Sequence, residues 1–356
     1  MKEKWMQYPA AGRSPQWRPV FLLAGYSVFF SPNSCLWALT HFLLQHRMNK
    51  TMRYAEGLES SENVLYFLNE LLERRLGLSQ GPKEVDQMAL LTLNQVTHHY
   101  FTKNDYTKTL DNITFSIDEG EFITLLGPSE CGKSTILSII ARIIGHTDGA
   151  IYVNGSPLPE ADPDIGYMPQ QDYLFPWKTI LDNVLIGPKI RHDQSEETKE
   201  QAIQLLDHVG LSKMTDVFPD SLSNGMRQRA AFIRALIINP KILLLDEPFA
   251  ALDYQTKLKL EDLVQDLLRY YQKTSILVTH DIGEAIAMSD RIIVMDANPG
   301  SIVKTFEVPL ELRDETPFLV QRHPKYQLLF DKIWRQLDKD KSIPSQSKVV
   351  SPYDKT

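Results

Sequence analysis

The sequence predicts an α/β fold built on a mainly parallel β-sheet, and two observations lead to this prediction. Continuous apolar runs recur at Phe122–Leu126, Ile242–Leu245 and Ile276–Val278, and such runs are typical of strands that are buried on both faces. Segments with helical spacing lie between them, as at Lys257–Tyr271. This alternation favours a parallel sheet with helices on both sides.

Composition divides the chain of 356 residues into three regions. Residues 1–87 form an N-terminal extension, residues 88–335 form a compact α/β unit, and residues 336–356 form a polar segment that is predicted to be disordered. Further elements predicted in the α/β unit are two strands and a buried helix, at Leu90–Val96, Ile113–Ile117 and Thr135–Ile144.

The overall composition excludes several classes of protein. Apolar and charged fractions of 43% and 23% are those of a soluble globular protein. The net charge of −7 argues against a nucleic-acid partner, because general nucleic-acid binders carry a basic face. The two cysteines, Cys35 and Cys131, lie far apart, so they predict neither a disulfide framework nor a zinc site.

The N-terminal extension has two interpretations that the sequence leaves open. Val20–Leu44 contains no charged residue and is long enough to cross a bilayer, although Ser31-Pro32-Asn33-Ser34 near its middle disfavours a span. Ser60–Leu76 has the spacing of an amphipathic helix, which would suit a membrane or a partner surface. Alternatively, the extension is non-native, since the α/β unit has a natural start at Met88.

The strongest chemical motif is the glycine-rich segment Gly127-x-x-x-x-Gly132-Lys133-Ser134, which follows a strand and opens a helix. Backbone amides and a helix N-terminus form a cradle for phosphate there. Lys133 is expected to reach the β- and γ-phosphates of ATP, and Ser134 to offer its hydroxyl to Mg²⁺. The residues predicted to bind the nucleotide are Gly127, Pro128, Ser129, Glu130, Cys131, Gly132, Lys133, Ser134 and Thr135.

A second motif places two carboxylates at the end of an apolar strand, in Asp246 and Glu247. The carboxyl ends of strands are where α/β sheets bind ligands. Asp246 is predicted to hold Mg²⁺, and Glu247 to act as the general base on the attacking water. Taken alone, the pair is equally typical of an ordinary strand end.

A third motif, Leu222–Arg229 with the sequence LSNGMRQR, resembles the signature of ABC transporter ATPases, usually written LSGGQ. Further motifs match that family in the same order. The resemblance implies an adenine-stacking aromatic, a glutamine that contacts Mg²⁺ and water, a D-loop aspartate and a γ-phosphate-sensing histidine, at Tyr100, Gln170, Asp253 and His280. Singly, these residues have plainer interpretations: a core aromatic for Tyr100, Gln171 in place of Gln170, a helix cap for Asp253 and a backbone contact for His280.

The resemblance implies more than the individual residues do. It implies the ABC-type fold of the P-loop NTPases, with an antiparallel β subdomain and a helical signature subdomain at about 171–235. Two chains would pair head to tail, with each ATP between the phosphate loop of one and Ser223, Asn224 and Gly225 of the other. The dimer would drive a transmembrane permease from the cytoplasmic face of the membrane, served indirectly by an extracytoplasmic solute-binding protein.

Within that family, the sequence is most similar to import ATPases of the nitrate, sulfonate and taurine group. The similarity is carried by Leu174–Val184, which follows Gln170, and by Asn298-Pro299-Gly300. Related systems import pyrimidine precursors. Leu174, Phe175 and Trp177 would suit a groove for the permease, although a core role for Trp177 is equally compatible with the sequence. The alternatives are a weakly active regulatory subunit and a non-transport ABC ATPase.

Three positions depart from the family pattern, since Glu130, Asn224 and Arg142 stand where glycine is usual. A left-handed backbone at Glu130 would cost about 1–2 kcal/mol. A carboxylate about 5 Å from a phosphate charge would add about 3 kcal/mol of repulsion at an effective dielectric near 20. Asn224 is the milder change, because asparagine tolerates left-handed geometry. We therefore expect weaker ATP binding than a typical member shows.

Overall fold

The computed structural model describes residues 21–23, 26–28, 89–101, 106–160 and 162–338. The chain divides into two units, Met1–Val85 and Asp86–Thr356. In the first unit, the described residues form an antiparallel hairpin of β1 (Phe21–Leu23) and β2 (Tyr26–Val28). The remainder of the predicted segment at 20–44 and the helix predicted at 60–76 lie outside the described residues.

The second unit alternates strands and helices along the chain, as the apolar pattern predicts. Its strands are β3 (Leu91–Phe101), β4 (Tyr106–Ile117), β5 (Phe122–Leu126), β6 (Asp148–Val153), β7 (Ser156–Pro157), β8 (Ile165–Met168), β9 (Ile242–Asp246), β10 (Thr274–Thr279), β11 (Arg291–Asp296) and β12 (Ser301–Glu307). Its helices are α1 (Lys133–Ile140), α2 (Ile180–Val184), α3 (Ile186–Ile190), α4 (Glu196–His208), α5 (Asn224–Leu236), α6 (Tyr254–Tyr270), α7 (Ile282–Met288), α8 (Leu310–Arg313), α9 (Pro317–Val320) and α10 (Pro324–Leu337).

A six-stranded sheet in the order β12–β11–β5–β10–β9–β8 forms the centre of this unit. The five strands from β11 to β8 run parallel, and β12 pairs antiparallel at the edge. Leu126 pairs with Thr279, and Val278 pairs with Asp246. The carboxyl ends of β5, β10 and β9 are therefore aligned, so the segments that follow them meet at one edge of the sheet.

Each central strand is buried on both faces, which explains why its sequence is continuously apolar. Along β9, Ile242 and Leu244 pack into one hydrophobic cluster, while Leu243 and Leu245 pack into another on the opposite face. The first cluster also contains α1 and residues of the second sheet, whereas the other contains α5, α6, α7 and α10. The predicted parallel sheet with helices on both sides is confirmed.

The second sheet is antiparallel, with strand order β4–β3–β6–β7. It contacts the loop after β11 through a bridge between Leu110 and Gly300. Two short 3₁₀ helices, Ser212–Met214 and Pro219–Ser221, separate α4 from α5 in the helical region. This region corresponds in position to the helical subdomain expected at about 171–235.

Several element boundaries differ from those that the sequence predicts. Helix α1 ends at Ile140 rather than Ile144, because Arg142 adopts a left-handed conformation with φ 59° that terminates the helix. Helix α10 extends to Leu337 and so includes the first two residues of the segment predicted to be disordered from 336. Residues 339–356 lie outside the described part of the chain. No helix within the described residues is both long and apolar enough to cross a membrane.

Candidate active site

The phosphate loop connects β5 to α1 and is shaped by close packing against the antiparallel sheet. Gly132 begins the helix with φ 90°, a conformation that side chains rarely adopt. A Cβ at Gly132 would also overlap Leu110 Cδ2 of β4. Glycine is therefore required here both by the backbone conformation and by the lack of space.

Lys133 places its charge inside this loop. The side chain is buried, and Nζ donates hydrogen bonds to the carbonyl oxygens of Gly127 at 2.8 Å and Pro128 at 2.7 Å. The first amides of a helix lack intrahelical acceptors, and the helix dipole favours an anion at this end. The loop therefore combines a fixed ammonium group with helix-terminal amides, which is the chemistry that a triphosphate requires.

Glu130 has the left-handed conformation that the sequence departure implies, with φ 64°. Its side chain is exposed, so water screens much of the repulsion expected from its charge. The left-handed backbone belongs to the folded chain with or without ATP, so its strain of about 1–2 kcal/mol lowers the stability of the fold rather than the affinity for ATP.

We predict that Glu130→Gly raises the affinity for ATP about two- to threefold, because it removes the charge, and raises the melting temperature, because glycine relieves the strain. Titration with ATP by calorimetry and thermal unfolding of the purified chain measure the two effects. Glu130→Gln is the matched control, since it removes the charge and retains the strain: it should match the affinity of Glu130→Gly but not its melting temperature. Equal affinities of wild type and Glu130→Gly would contradict the prediction.

The hydroxyl of Ser134 and the carboxylate of Asp246, which are oxygen ligands of the type that Mg²⁺ prefers, lie next to each other near the end of β9. Ser134 Oγ donates to Asp246 Oδ1 at 2.8 Å, and Tyr167 OH donates to Asp246 Oδ2 at 3.2 Å. Burial raises the pKa of Asp246, and it raises the pKa of Tyr167 to about 12 together with the neighbouring carboxylate. A hydroxyl and a carboxylate beside a phosphate loop fit Mg²⁺, which takes few protein ligands and completes its shell with phosphate and water.

Three of the predicted catalytic residues meet at the carboxylate of Glu247. Its Oε2 accepts from Gln170 Nε2 at 3.2 Å, and its Oε1 lies 3.3 Å from His280 Nδ1. Glu247 has φ 44°, and its amide donates to the carbonyl oxygen of Val278 at 3.0 Å. This strained residue is thereby fixed to β10, the strand that also positions His280.

The signature segment begins α5 in a way that the sequence comparison did not predict. Ser223 is the N-cap and accepts from the Met226 amide at 3.4 Å, while Asn224 is the first helical residue. The tolerance of asparagine for left-handed geometry therefore plays no part at Asn224, because this position is already helical. Its amide oxygen accepts from Arg227 instead. Among the described residues, no hydrogen bond joins Ser223, Asn224 or Gly225 to the phosphate loop.

Tyr100 and Asp253 lie on the two sides of the site. Tyr100 is 46% exposed on β3 and contacts His98 edge-on, with ring centroids 4.6 Å apart. His98 pairs with Leu110, the residue that packs on Gly132, so Tyr100 lies two pairs further along the same hairpin. Exposure makes a core role for Tyr100 wrong. Asp253 caps α6 by accepting from the Thr256 amide at 3.1 Å, as its helix-cap interpretation predicts.

Four residues of the site were missed by the sequence reasoning. Tyr167 holds Asp246, Gln228 donates to the carbonyl oxygen of Gln170 at 3.3 Å, and Asp172 pairs with Arg227 at 3.1 Å. Gly300 lies against the phosphate loop, where a Cβ would overlap the carbonyl oxygen of Cys131. Gln228 and Gly300 lie in motifs that the sequence already singled out, and Tyr167 belongs to the strand that precedes Gln170; their contacts depend on long-range packing and were not predicted.

A buried cluster of charged residues lies beside His280. Lys257 Nζ is 2.6 Å from Asp281 Oδ2, 3.7 Å from Glu284 Oε2 and 3.8 Å from Glu261 Oε1. Burial raises the pKa of Glu261 to about 8, with a contribution from Glu284, and raises the pKa of Glu284 to about 7. One ammonium group thus faces three carboxyl groups, two of which are almost fully buried.

This cluster predicts that the free energy of unfolding falls as pH rises from about 5 to 8. The folded protein retains protons on Glu261 and Glu284 at pH values where the unfolded chain, with ordinary glutamate pKa values, has released them. The folded state is therefore most stable below the ordinary glutamate pKa, and this stability is lost as the pH rises through the raised pKa values of the folded protein. Glu261→Gln should flatten the profile and exceed wild type by about 2 kcal/mol at pH 8. Urea unfolding at several pH values measures this, with the exposed Glu307→Gln as control. Parallel profiles for wild type and Glu261→Gln would contradict the assignment.

A parallel sheet, a glycine-rich loop with a buried lysine, and a Ser134–Asp246 pair next to Glu247 together define a nucleotide-hydrolysing domain of the P-loop class. Comparison with known proteins narrows this class. Residues 110–250 match the family described as "ABC transporter".

Curated relatives and solved structures agree with that match. The chain is 50% identical over 251 residues to the uncharacterized ABC transporter ATP-binding protein YtlC of Bacillus subtilis, covering 70% of this chain and 96% of that protein. It is 35% identical over 217 residues to the aliphatic sulfonates import ATP-binding protein SsuB of Bacillus anthracis, covering 61% of this chain and 85% of the relative. A dimeric post-hydrolysis structure of the ATP-binding cassette MJ0796, bound to ADP and Pi, aligns with a TM-score of 0.56 and 32% identity, over 62% of this chain and 99% of the other.

The chain belongs to the ATP-binding proteins of ABC transporters. It therefore has the ABC-type fold, binds ATP and hydrolyses it to energise transport. The predicted α/β class, the family resemblance and the ATPase activity are confirmed.

Proposed function

We propose that this chain energises the import of a small anionic solute through a membrane permease. The family provides the ATPase, and similarity to a sulfonate importer favours a solute of the sulfonate, taurine or nitrate type. One structural observation carries the coupling to a permease. Phe175 and Trp177, which follow Gln170, are 38% and 70% exposed, with ring centroids 5.2 Å apart.

The exposure of this aromatic pair excludes a core role for Trp177. Leu174 is buried, and the carbonyl oxygens of Asp172 and Tyr173 accept from Arg234 of α5. The short segment that joins Gln170 to the aromatic pair is thus fixed to the signature helix. An apolar segment of a permease docked here would be connected to both nucleotide-contacting elements.

In the proposed mechanism, two chains pair head to tail around two ATP molecules. Lys133 and the amides of α1 hold the phosphates, and Ser134 and Asp246 would hold Mg²⁺, which screens phosphate charge. Glu247 accepts a proton from the attacking water, while Gln170 and His280 orient its carboxylate. ATP binds the closed dimer preferentially, so binding and hydrolysis shift the permease between two states at the cytoplasmic face of the membrane.

Co-purification with a permease tests the coupling. The chain is expressed with a tag in its native cells, and detergent-solubilised membranes are searched for a multi-spanning protein that remains bound. Trp177→Ala should lower recovery of that protein at least fivefold while the isolated chain retains its ATPase activity. Trp334→Ala is the matched control, because Trp334 is another exposed tryptophan, at 50%, but lies on α10. Undiminished recovery with Trp177→Ala would count against this surface.

Transport of the solute is tested with the recovered complex in proteoliposomes. Uptake of labelled taurine, an alkanesulfonate or nitrate is measured with ATP on the side of the ATPase. ATP-dependent uptake of one of these solutes, each of which carries a sulfonate or nitrate group, is expected. Selective uptake of a neutral or cationic pyrimidine precursor would overturn the anion assignment but retain import.

A second candidate function is a weakly active regulatory subunit, and the strained Glu130 in the phosphate loop favours it. The same complex separates the two candidates. Stimulation of ATPase activity by the permease supports the importer, whereas tight nucleotide binding without stimulated turnover supports regulation.

A further inference from the structure

The residues on both sides of His280 are held by side chains that the hydrolysis mechanism does not use. On one side, Thr279 Oγ1 donates to the buried carboxyl group of Glu284. On the other side, Asp281 caps α7, accepting from the amides of Gly283 at 2.7 Å and Glu284 at 3.2 Å. The Asp281 amide donates back to Thr279 Oγ1 at 3.0 Å, which closes a tight loop around His280.

Lys257 connects this loop to a different element. It lies in the first turns of α6, the helix that Asp253 caps, and its ammonium group is 2.6 Å from Asp281 Oδ2 and 3.7 Å from Glu284 Oε2. Its side chain is only 17% exposed. The Asp281 side chain is 45% exposed, whereas that of Glu284 is 4% exposed. Lys257 is thus screened little on the side of Glu284, and its short contact with Asp281 connects that buried group to the cap of α7.

The lysine and the catalytic pair also share one cavity. A cavity of about 260 Å³ is lined by Glu247, Thr279, His280, Asp281, Glu284 and Lys257, among others. The side chain of His280 is 57% exposed, and among the described residues its one hydrogen bond is to Glu247. The ring therefore owes its position to its backbone and to Glu247 rather than to packing.

We propose that Lys257 is a positioning residue for ATP hydrolysis, which holds His280 against Glu247 by fixing Asp281 and Glu284. The proposal concerns the chemical step of the family's ATPase reaction and is independent of the imported solute. Lys257 is on α6, the helix that follows Asp253 of the D-loop. It therefore connects His280 to the element that would face the second chain in the proposed dimer.

Steady-state ATPase kinetics of Lys257→Met test the proposal, together with nucleotide titration. We expect kcat to fall about tenfold, while the Kd for ADP stays within twofold of wild type, since Lys257 makes no contact with the phosphate loop among the described residues. The activity is normalised to the nucleotide bound per chain, so loss of folded protein is not counted as loss of turnover. Lys257→Arg should restore at least half of kcat, because a guanidinium can reach the same carboxylates.

Matched variants separate positioning from stability. Lys241→Met removes an ion pair of similar length, 2.7 Å to Asp164, on the exposed surface and should leave kcat unchanged. Asp281→Asn retains the cap acceptor but weakens the link to Lys257, so its kcat should fall in the same direction, and the double variant should be no worse than Lys257→Met. If Lys257→Met does not fold, Asp281→Asn decides alone.

The proposal is overturned by a folded Lys257→Met or Asp281→Asn variant with wild-type kcat. It is also overturned by additive losses in the double variant, because additivity would place the two residues in separate roles. Wild-type turnover is measured in the same assay, so a defect of the variant is distinguished from an inactive chain.

Discussion

Replacing Glu247 by glutamine is expected to reduce ATP turnover by two to three orders of magnitude while ATP binding persists. Glutamine retains the shape of the side chain and can still bond Gln170 and His280, but it cannot accept the proton of the attacking water. Binding depends instead on Lys133 and the loop amides, which the substitution leaves in place. A chain that binds and does not hydrolyse should accumulate in its ATP-bound state.

Single-turnover hydrolysis and ATP titration measure the two effects separately. Glu160→Gln, the same substitution at an exposed position, is the control and should leave both unchanged. If the proposed dimer is correct, the Glu247→Gln chain should also shift to a dimer on adding ATP, visible by light scattering. Undiminished hydrolysis by Glu247→Gln would remove this residue from the catalytic step.

Gly300→Ala is expected to damage the nucleotide site from outside the phosphate loop. A methyl group at this position would overlap the carbonyl oxygen of Cys131 and lie 2.9 Å from that of Thr109. Both obstacles are backbone atoms, and Gly300 is held in place by hydrogen bonds to Thr109 and Asp111 at 2.8 and 2.9 Å. Relief requires the loop to move, at a cost of about 1–3 kcal/mol.

The expected result is at least a tenfold weaker affinity for ATP, with a lower melting temperature. Thermal unfolding and ATP titration of the purified variant measure both. Gly145→Ala is a matched control, because a Cβ there would meet nothing within 4 Å and its backbone is not left-handed. Wild-type affinity and melting in Gly300→Ala would show that this contact does not support the loop.

The sequence predicted most features within single strands and few of the contacts between strands. The apolar run at β9 predicted a strand buried on both faces, and the residues around Lys133 predicted a strand–loop–helix arrangement, because both signals are local. The meeting of Gln170 and His280 at Glu247 depends on strand register instead. It was reached through family resemblance, and their roles remain predictions.

Boundaries and loop conformations were predicted less well for physical reasons. The end of α1 depends on the left-handed Arg142, whose guanidinium donates to the carbonyl oxygens of Leu158 and Pro159 on a distant segment. The helix start at Asn224 was not predicted, because a position where glycine is usual can be either a turn or the start of a helix. The contact of Gly300 with Cys131 joins positions about 170 residues apart, which no local pattern encodes.

The aligned ends of β5, β10 and β9 have a consequence for how the protein loses activity on heating. Leu126, Thr279 and Asp246 lie in adjoining pairs of the same parallel sheet. The phosphate loop, His280 and the Asp246 carboxylate are therefore supported by the same strand ends. Melting of these strand ends releases all three at once. Heat inactivation and global unfolding should therefore coincide, and a preparation heated part-way would be a mixture of fully competent and unfolded chains rather than a population of impaired ones.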